Sequence, residues 1–315
     1  MRILLITGGW SAERDVALNG ARVLQKCMLE LGHSVEWYDL TPSFSGFDEA
    51  VARNDFAFIN LHGAPGEDGL VQAMLERYNF PYQGSSSTAS LLALDKAVAK
   101  TFFQKAGLRV ARSLLLTEQP AADWELPLSY PVFIKDNHGG STLNLEYVAK
   151  PEDLQPVLNR LFARGGLYLA EEAIVGAELT CGVYGEIVDG VEVARPLPPI
   201  LIEANSVSGL FDYESKYSAN GAKEICPAPI SAELTQKLQD MAVAAHEALG
   251  LSGYSRADFI VPENEDPVIL EVNTLPGMTE RSLIPQEFAA IGVDFKGMVT
   301  HLIEVGLARW KRTLA

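Results

Sequence analysis

Short apolar runs alternate with amphipathic stretches along the first part of the chain. The run ILLI at 3–6 predicts a buried strand, and the periodicity of 12–31 predicts a helix that Gly32 ends. The pattern then repeats, with strands expected at 35–38 and 56–61 and helices near 47–53 and 68–78. Strand–helix alternation of this kind is typical of a doubly wound parallel α/β sheet.

Beyond a Ser-rich stretch at 84–88 the pattern becomes α+β with an antiparallel tendency. The elements expected in the middle of the chain are a helix over 88–107, strands near 109–117, 131–135 and 143–148, a helix over 151–164, a strand at 167–173 and two or three strands within 176–197. The elements expected towards the end are a helix capped by Ser231 and closed by Gly250, strands at 254–261 and 268–273, and helices near 285–291 and 294–311.

One long stretch, 203–222, has no hydrophobic periodicity but carries many polar and aromatic residues. A structureless loop of this length is uncommon inside a compact domain and is often a functional lid. We therefore expect 203–222 to close over a site.

The composition argues against several classes of protein, namely those that bind nucleic acid, span a membrane or are secreted. The chain has 315 residues, of which 48% are hydrophobic and 21% charged, with a net charge of −16. Such an acidic chain is a poor binder of nucleic acid or anionic membranes. It contains no run long enough to span a bilayer, and its first apolar run is too short for a signal-peptide core. Three dispersed cysteines (Cys27, Cys181 and Cys226) indicate reduced thiols rather than a zinc site or disulfides, so a cytoplasmic location is expected.

Two predicted neighbouring strands, 254–261 and 268–273, carry charged side chains among apolar ones. They form a hairpin around PENEDP, and if Val261 pairs with Val268, Asp258 faces Glu271. The same register places Arg256 opposite Asn273.

Opposed carboxylates repel each other unless a cation lies between them. Oxygen ligands on rigid strands suit Mg²⁺, which completes its octahedron with phosphate oxygens. The metal ligands predicted in this way are Asp258, Glu271 and Asn273. The alternative, a solvated hairpin with incidental charges, is left open by the pattern alone.

A second polar strand end is YPVFIKDNHGGST, 130–142, where four apolar residues lead into Lys135 and a glycine-rich loop. Glycines allow backbone N–H groups to close on phosphate oxygens, and the lysine supplies charge. The order is not that of a P-loop, since the lysine precedes the glycines. Taken alone, this segment favours a glycine-rich hairpin without a ligand over a phosphate-binding loop.

With LDK, IKDNHGGST, AEEAIVGAE, DYESKY, RADF and ILEVNTLPGMTERSL in this order, the chain resembles the D-alanine–D-alanine ligases of the ATP-grasp superfamily. The likeness also includes GGWSAERDVAL at 8–18 and HGAPGEDG at 62–69, and so covers nearly the whole chain. Each motif is modest, but their order and spacing are specific.

The resemblance implies a three-domain ATP-grasp fold that joins α/β and α+β parts. An N-terminal doubly wound α/β domain over 1–86 is expected, then a central domain over 87–178 and a C-terminal domain over 179–315, the last two sandwiching ATP. The implied activity is ADP-forming ligation of two D-alanines through a D-alanyl phosphate, for peptidoglycan precursors. ATP and two Mg²⁺ or Mn²⁺ ions are the implied cofactors, and a homodimer is expected.

The resemblance also implies roles for individual residues. Asp258, Glu271 and Asn273 would hold the metal ions. The ATP-binding residues would be Lys96, Lys135, Glu171, Glu178 and Lys216. The residues implied in catalysis are Glu13, Ser141, Tyr217, Arg256 and Gly277, and those that would hold the two substrates are Glu13, His62, Ser282 and Leu283.

Three positions depart from the commonest family pattern in the phosphate loop. Asp136 follows Lys135 where a proline is usual, Thr142 replaces a serine and Asn144 a glycine. Asp136 either weakens ATP binding by its charge or points away from the phosphates.

Two other functions remain alternatives to D-alanine ligation. One is an ATP-grasp ligase for another pair of D-amino or D-hydroxy acids. The other is a nucleotide-binding protein without turnover, which the full set of charged motif residues disfavours.

Overall fold

The first sheet of the computed structural model, which describes residues 1–140, 145–203, 223–263 and 265–313, is parallel and three-stranded. Its strand order is β2-β1-β3, with β1 Arg2–Gly8, β2 Ser34–Leu40 and β3 Phe56–Ile59. The helices that connect and follow these strands are α1 Arg14–Glu30, α2 Phe47–Arg53 and α3 Leu70–Arg77. Since β1 is buried from Ile3 to Gly8, it forms the centre of this layer, and the predicted parallel α/β arrangement is confirmed.

The single helix expected over 88–107 is two helices, α4 Ser87–Leu94 and α5 Lys96–Lys105. The break falls at Asp95, whose backbone is extended and whose carboxylate accepts a hydrogen bond from the N–H of Val98 at 3.0 Å. An aspartate at an N-cap position starts a new helix in this way, so the prediction of one continuous helix was wrong.

The second sheet is antiparallel, with strand order β4-β7-β5-β6. Its strands are β4 Ser113–Leu116, β5 Val132–Asp136, β6 Glu146–Val148 and β7 Tyr168–Glu172. A 3₁₀ turn at Pro151–Asp153 leads into α6, Leu154–Phe162, whose apolar face covers the sheet. The expected antiparallel middle section is confirmed.

The third sheet is also antiparallel and runs β11-β10-β8-β12-β13, with β9 paired to β8. Its strands are β8 Ala177–Val188, β9 Val191–Pro196, β10 Ile200–Glu203, β11 Lys223–Ile225, β12 Tyr254–Val261 and β13 Val268–Asn273. Helix α7, Ala232–Ala248, starts at the predicted cap, where Ser231 accepts a hydrogen bond from the N–H of Leu234. Two further helices follow, α8 Leu283–Ala290 and α9 Phe295–Thr313.

Buried apolar residues connect these layers. Ala99 and Phe103 of α5 belong to the same core as Phe259 of β12, so α5 packs on the third sheet. Met298 of α9 and Leu275 after β13 belong to the core of the first sheet. The loops after the strands of the first sheet therefore lie against the loop after β13. Within the described ranges, no helix has both the length and the apolarity to cross a bilayer.

The pairing of β12 with β13 differs in one detail from the prediction. Ile260 rather than Val261 pairs with Val268, because a bulge lies between Asp258 and Phe259 in the ladder. The extra residue restores the predicted register beyond the bulge, where Asp258 pairs with Glu271. Bulges are common beside functional sites, where they redirect side chains.

Candidate active site

Asp258 lies at the centre of a group of polar side chains on one face of the third sheet. Arg256 donates two hydrogen bonds to its carboxylate, from Nε to Oδ1 and from Nη2 to Oδ2, each of 2.9 Å. Asn273 donates to Oδ2 at 2.9 Å, and the buried hydroxyl of Thr180 on β8 lies 2.7 Å from Oδ1. Burial favours the neutral form of Arg256, but Asp258 outweighs it and raises the pKa of the guanidinium. Asp258 is therefore the shared hydrogen-bond acceptor of Arg256, Asn273 and Thr180.

Glu271 is paired with a second cation. The Nζ of Lys96, at the start of α5, lies 3.3 Å from Oε2 of Glu271 and donates to the carbonyl oxygen of Gly139 at 2.6 Å. The Lys96 side chain is only 8% exposed. It thus joins the glycine-rich loop after β5 to the carboxylates of the third sheet.

The oxygen donors of Asp258, Glu271 and Asn273 fit a magnesium site. Two carboxylates and an amide on paired strands are hard ligands on a rigid frame, and a metal ion bound there would take the place of Arg256 at Asp258 and of Lys96 at Glu271. No group of three or more His, Cys, Asp or Glu side chains arranged for a metal occurs in the part of the chain that the structure describes. Two carboxylates suffice for Mg²⁺ when substrate phosphates complete its coordination.

Glu171 of β7 is shared by two lysines in the interior. Lys135 of β5 donates to its Oε2 at 2.6 Å, and Lys100 of α5 contacts its Oε1. Burial opposes the charge on Glu171, but the two lysines outweigh it and lower the pKa of the carboxyl. Burial and the nearby Lys135 lower the pKa of Lys100. The cluster carries a net positive charge when all three groups are ionised, which suits a polyanionic ligand.

Glu13 and the glycine-rich loop approach each other across the site. Glu13 is the N-cap residue of α1, and a Cβ placed on Gly140 would lie only 3.2 Å from its Oε2. A Cβ on Gly63 would lie 3.7 Å from the same oxygen. Loops of the first and second sheets therefore meet at Glu13.

His62 and Glu67 connect the loop after β3 to the loop after β13. The Nδ1 of His62 lies 3.0 Å from the carbonyl oxygen of Leu275, so this nitrogen carries the proton. Burial lowers the pKa of His62 and keeps the ring neutral at pH 7. Glu67 accepts hydrogen bonds from the N–H of Gly63 at 3.0 Å and of Thr274 at 3.3 Å. Burial raises the pKa of Glu67 to about 7.

The start of α8 borders the same region. Ser282 is the N-cap residue of α8, but its hydroxyl accepts from the N–H of Thr279 at 3.0 Å instead of capping the helix. A Cβ on Gly277 would lie 2.9 Å from that hydroxyl oxygen, so the absence of a side chain at Gly277 leaves room for the hydroxyl of Ser282. The first turn of α8, beginning at Leu283, therefore retains N–H groups for an anion.

Glu178 lies on β8, two residues before Thr180 and on the same face of the strand. Other predicted residues lie outside the described part of the chain: Ser141, Lys216 and Tyr217, together with all but the first residue of the expected lid 203–222. The same is true of Thr142 and Asn144.

Asp136 has a local role within its loop. Its Oδ1 accepts a hydrogen bond from the N–H of His138 at 2.9 Å, which is the pattern of an Asx turn. His138 in turn lies 3.1 Å from Asp95, the residue that starts α5. The carboxylate of Asp136 therefore stabilises the conformation of its own loop.

Three residues of the site were missed by the sequence reasoning. Lys100 carried a usable signal, because it lies four residues after Lys96 on the same helix and hence on the same face. Glu67 lies inside the motif HGAPGEDG at 62–69. Its burial could not be predicted from that motif, because it depends on loops that meet only in the folded chain. Thr180 carried no signal, since its contact with Asp258 depends on the pairing of β8 with β12.

Comparison with known proteins gives concordant results. The family model described as "D-ala D-ala ligase C-terminus" matches residues 102–304. A D-alanine–D-alanine ligase of Nitratidesulfovibrio vulgaris is 52% identical over 98% of both chains. The ligase of the same name from Oleidesulfovibrio alaskensis is 51% identical, over 98% of this chain and 97% of its own.

Solved structures agree with these relatives. The D-alanine–D-alanine ligase of Bacillus anthracis superposes with a TM-score of 0.85 and 31% identity, over 99% of both chains. The structure of that enzyme complexed with ATP superposes with a TM-score of 0.84 and 28% identity, again over 99% of both chains.

Proposed function

The chain belongs to the D-alanine–D-alanine ligase family, and from that premise we propose that it joins two D-alanines, with ATP cleaved to ADP and phosphate. The dipeptide is a precursor for peptidoglycan. The observation that carries the proposal is the pairing of Asp258 with Glu271, flanked by Arg256 and Lys96, at the place where loops of all three sheets meet.

The first step requires a phosphoryl acceptor and charge neutralisation. The carboxylate of the first D-alanine attacks the γ-phosphorus of ATP, and ADP leaves with the bridging oxygen, which gives D-alanyl phosphate. Lys96, Lys135 and Lys216 would balance the charge on the phosphates. Magnesium held by Asp258, Glu271 and Asn273 would supply further charge stabilisation when bound. Glu178 would bind the ribose of ATP, and Glu171 would orient Lys135.

The second step is attack of an amine on the acyl phosphate. Glu13, supported by Ser141 and Tyr217, would hold the ammonium group of the first D-alanine. The N–H groups at Ser282 and Leu283 would receive the carboxylate of the second one, as expected at a helix N-terminus. The Ser282 N–H donates to the carbonyl oxygen of Thr279 at 2.9 Å and would exchange that bond for the carboxylate.

The second amine must lose a proton before it attacks. The neutral ring of His62, protonated on Nδ1, has Nε2 available as an acceptor. Arg256 and the N–H of Gly277 would stabilise the oxyanion of the tetrahedral intermediate, a contribution of roughly 2.7–4 kcal/mol per donor in other enzymes. Phosphate then leaves and the amide bond remains.

Three further features complete the proposal. Two Mg²⁺ or Mn²⁺ ions would bind per site, the chain would form a homodimer, and the reaction would take place in the cytoplasm, where ATP is available. The loop 203–222 would close over the acyl phosphate and exclude water.

The deciding experiment offers the enzyme Mg-ATP with a panel of D-amino and D-hydroxy acids, and measures phosphate release and product mass. We expect D-alanyl-D-alanine as the main product at pH 7, with the D-lactate ester minor. Tyr217 bears on this choice, since its phenol adds no positive charge to repel an incoming ammonium group. A predominance of ester near pH 7 would show that Tyr217 does not determine the choice, and phosphate release without dipeptide would contradict the ligase.

A further inference from the structure

Glu287 is a fully buried carboxyl group that the reaction described above does not use. It lies on α8, whose buried face otherwise consists of Ile284, Pro285 and Phe288. A carboxyl group within an apolar helix face is costly unless it has a specific partner.

The partner of Glu287 is the backbone of β8. Its Oε1 accepts a hydrogen bond from the N–H of Gly182 at 2.8 Å. A Cβ on Gly182 would lie 2.3 Å from Oε2 of Glu287, so the side chain enters a space that only glycine leaves open. Oε2 has no hydrogen-bond partner among the residues that the structure describes.

Gly182 is the cross-strand neighbour of Arg256 on β12. Paired residues of antiparallel strands project to the same face, so Glu287 sits on the sheet beside the proposed oxyanion donor. The side chain thereby joins two parts of the site: α8, whose first turn would bind the second substrate, and the strand pair that carries Arg256.

We propose that Glu287 is a positioning residue that holds the first turn of α8 at a fixed distance from Arg256, and so sets the affinity for the second D-alanine. The inference rests on the proposed ligase function, because it assigns the second carboxylate to Ser282 and Leu283. Glu287 touches no substrate and acts only through α8.

The protonation state of Glu287 matters for this role. Burial raises its pKa to about 8, and Asp258 acts in the same direction, whereas Arg256 favours the anion. Among the residues that the structure describes, the thiols of Cys181 and Cys226 also interact with Glu287. At pH 7 the neutral acid fits the single N–H contact, and above pH 8 a buried anion with one donor would disturb α8.

The first test separates the two half-reactions. Scrambling of ¹⁸O from the β,γ-bridge of ATP reports D-alanyl phosphate formation, which needs only the first D-alanine. Dipeptide formation reports the second. In Glu287→Leu we expect the D-alanine concentration for half-maximal dipeptide formation to rise about tenfold, with scrambling changed less than about threefold. Glu304→Leu, at an exposed position of α9, is the matched control and should change neither.

The isosteric variant supplies the second readout. Glu287→Gln keeps the acceptor for Gly182 and does not ionise, so it should match the wild type at pH 7. Above pH 8 the wild type should lose affinity for the second D-alanine more steeply than Glu287→Gln. Equal losses in both half-reactions of Glu287→Leu, or identical pH profiles for wild type and Glu287→Gln, would overturn the proposal.

A double-mutant cycle covers the case in which Glu287→Leu does not fold. Gly182→Ala should raise the same half-saturation constant on its own and add less in a Glu287→Ala background, where its Cβ no longer meets the carboxyl group but still meets Cδ1 of Ile284 and of Leu197, at 2.7 and 2.8 Å. Full additivity would contradict the proposed contact. Absence of both scrambling and dipeptide in the wild type would instead refute the ligase function itself, so the two failures are distinguishable.

Discussion

Arg256 holds Asp258 through two parallel hydrogen bonds of 2.9 Å, so a guanidinium occupies both oxygens of a predicted metal ligand. Bidentate pairs of this kind are among the stronger hydrogen-bonded contacts in proteins. A metal ion that binds Asp258 must therefore compete with Arg256. When a metal ion displaces Arg256 from Asp258, the guanidinium would be free to face the acyl carbonyl. Metal binding would thereby be linked to formation of the oxyanion site.

This competition predicts the effect of Arg256→Gln on metal affinity. Removing the guanidinium should tighten Mn²⁺ binding in the absence of nucleotide by several-fold, since Asp258 and Glu271 then lose a competing cation. Turnover should nevertheless fall about 100-fold or more, because the oxyanion donor is gone. Mn²⁺ binding is followed by electron paramagnetic resonance, with Arg160→Gln, an exposed ion-pair partner of Glu146, as control. Unchanged or weaker Mn²⁺ binding would count against competition.

Glu271→Gln tests the metal site from the other strand. The substitution preserves shape and removes one charge, so turnover should fall by about 100-fold or more while the fold is kept. Activity is measured at ordinary Mg²⁺ concentration, and folding by circular dichroism. Glu265→Gln, on the exposed connection before β13, should retain full activity. Wild-type turnover in Glu271→Gln would remove Glu271 from the set of metal ligands.

Glu171 and its two lysines predict an order of stabilities. Glu171→Gln removes the carboxylate that directly contacts two buried ammonium groups and leaves them only the more distant Glu271, whereas Lys100→Met leaves the neutral pair of Glu171 and Lys135. Breaking a buried pair typically costs about 3–5 kcal/mol, so Glu171→Gln should lower the apparent Tm more than Lys100→Met does.

Lys105→Met, at an exposed position on the same helix as Lys100, is the control for these measurements. Calorimetric titration should also show weaker ATP binding for both Glu171→Gln and Lys100→Met. The reverse order of the two Tm values would show that the three charges do not act as one cluster.

Some parts of the site could be predicted from the sequence, because they depend on the alternation of polar and apolar residues within one or two neighbouring strands. Alternation along β12 and β13 placed Asp258 opposite Glu271 even though the bulge was not foreseen. Two errors cancelled there: the predicted pairing next to the turn was one residue off, and the unforeseen bulge shifted the register back by one residue. The break at Asp95 was missed because helix-forming residues flank it on both sides.

Other parts depend on contacts between distant segments and left little local signal. Glu67 is a buried acid only because loops of two sheets meet around it. Glu287 did carry a sign, since it lies three residues after Ile284 on an apolar helix face. Its partner Gly182 is 105 positions away, so sequence alone did not indicate whether that acid was buried.

The raised pKa of Glu287 makes stability depend on pH in a predictable direction. Below pH 4.5 the carboxyl is protonated in both folded and unfolded chains, and it does not oppose folding. Between pH 4.5 and about 8 the unfolded chain releases the proton while the folded chain keeps it, so stability falls as the pH rises. Glutamine has no such cost, and the advantage in apparent Tm of Glu287→Gln over the wild type should therefore grow from pH 5 to pH 8. The free-energy difference should reach a few kcal/mol, on about 1.36 kcal/mol per pKa unit.

Glu67→Gln should show the same trend over a narrower range, because the pKa of Glu67 is raised only to about 7. Glu304→Gln, which is exposed, should follow the wild type at every pH. Calorimetric scans at pH 5, 6.5 and 8 distinguish this account from a packing effect. Loss or gain of packing would shift the Tm of Glu287→Gln by the same amount at all three pH values, whereas release of a buried proton requires the shift to increase from each pH value to the next.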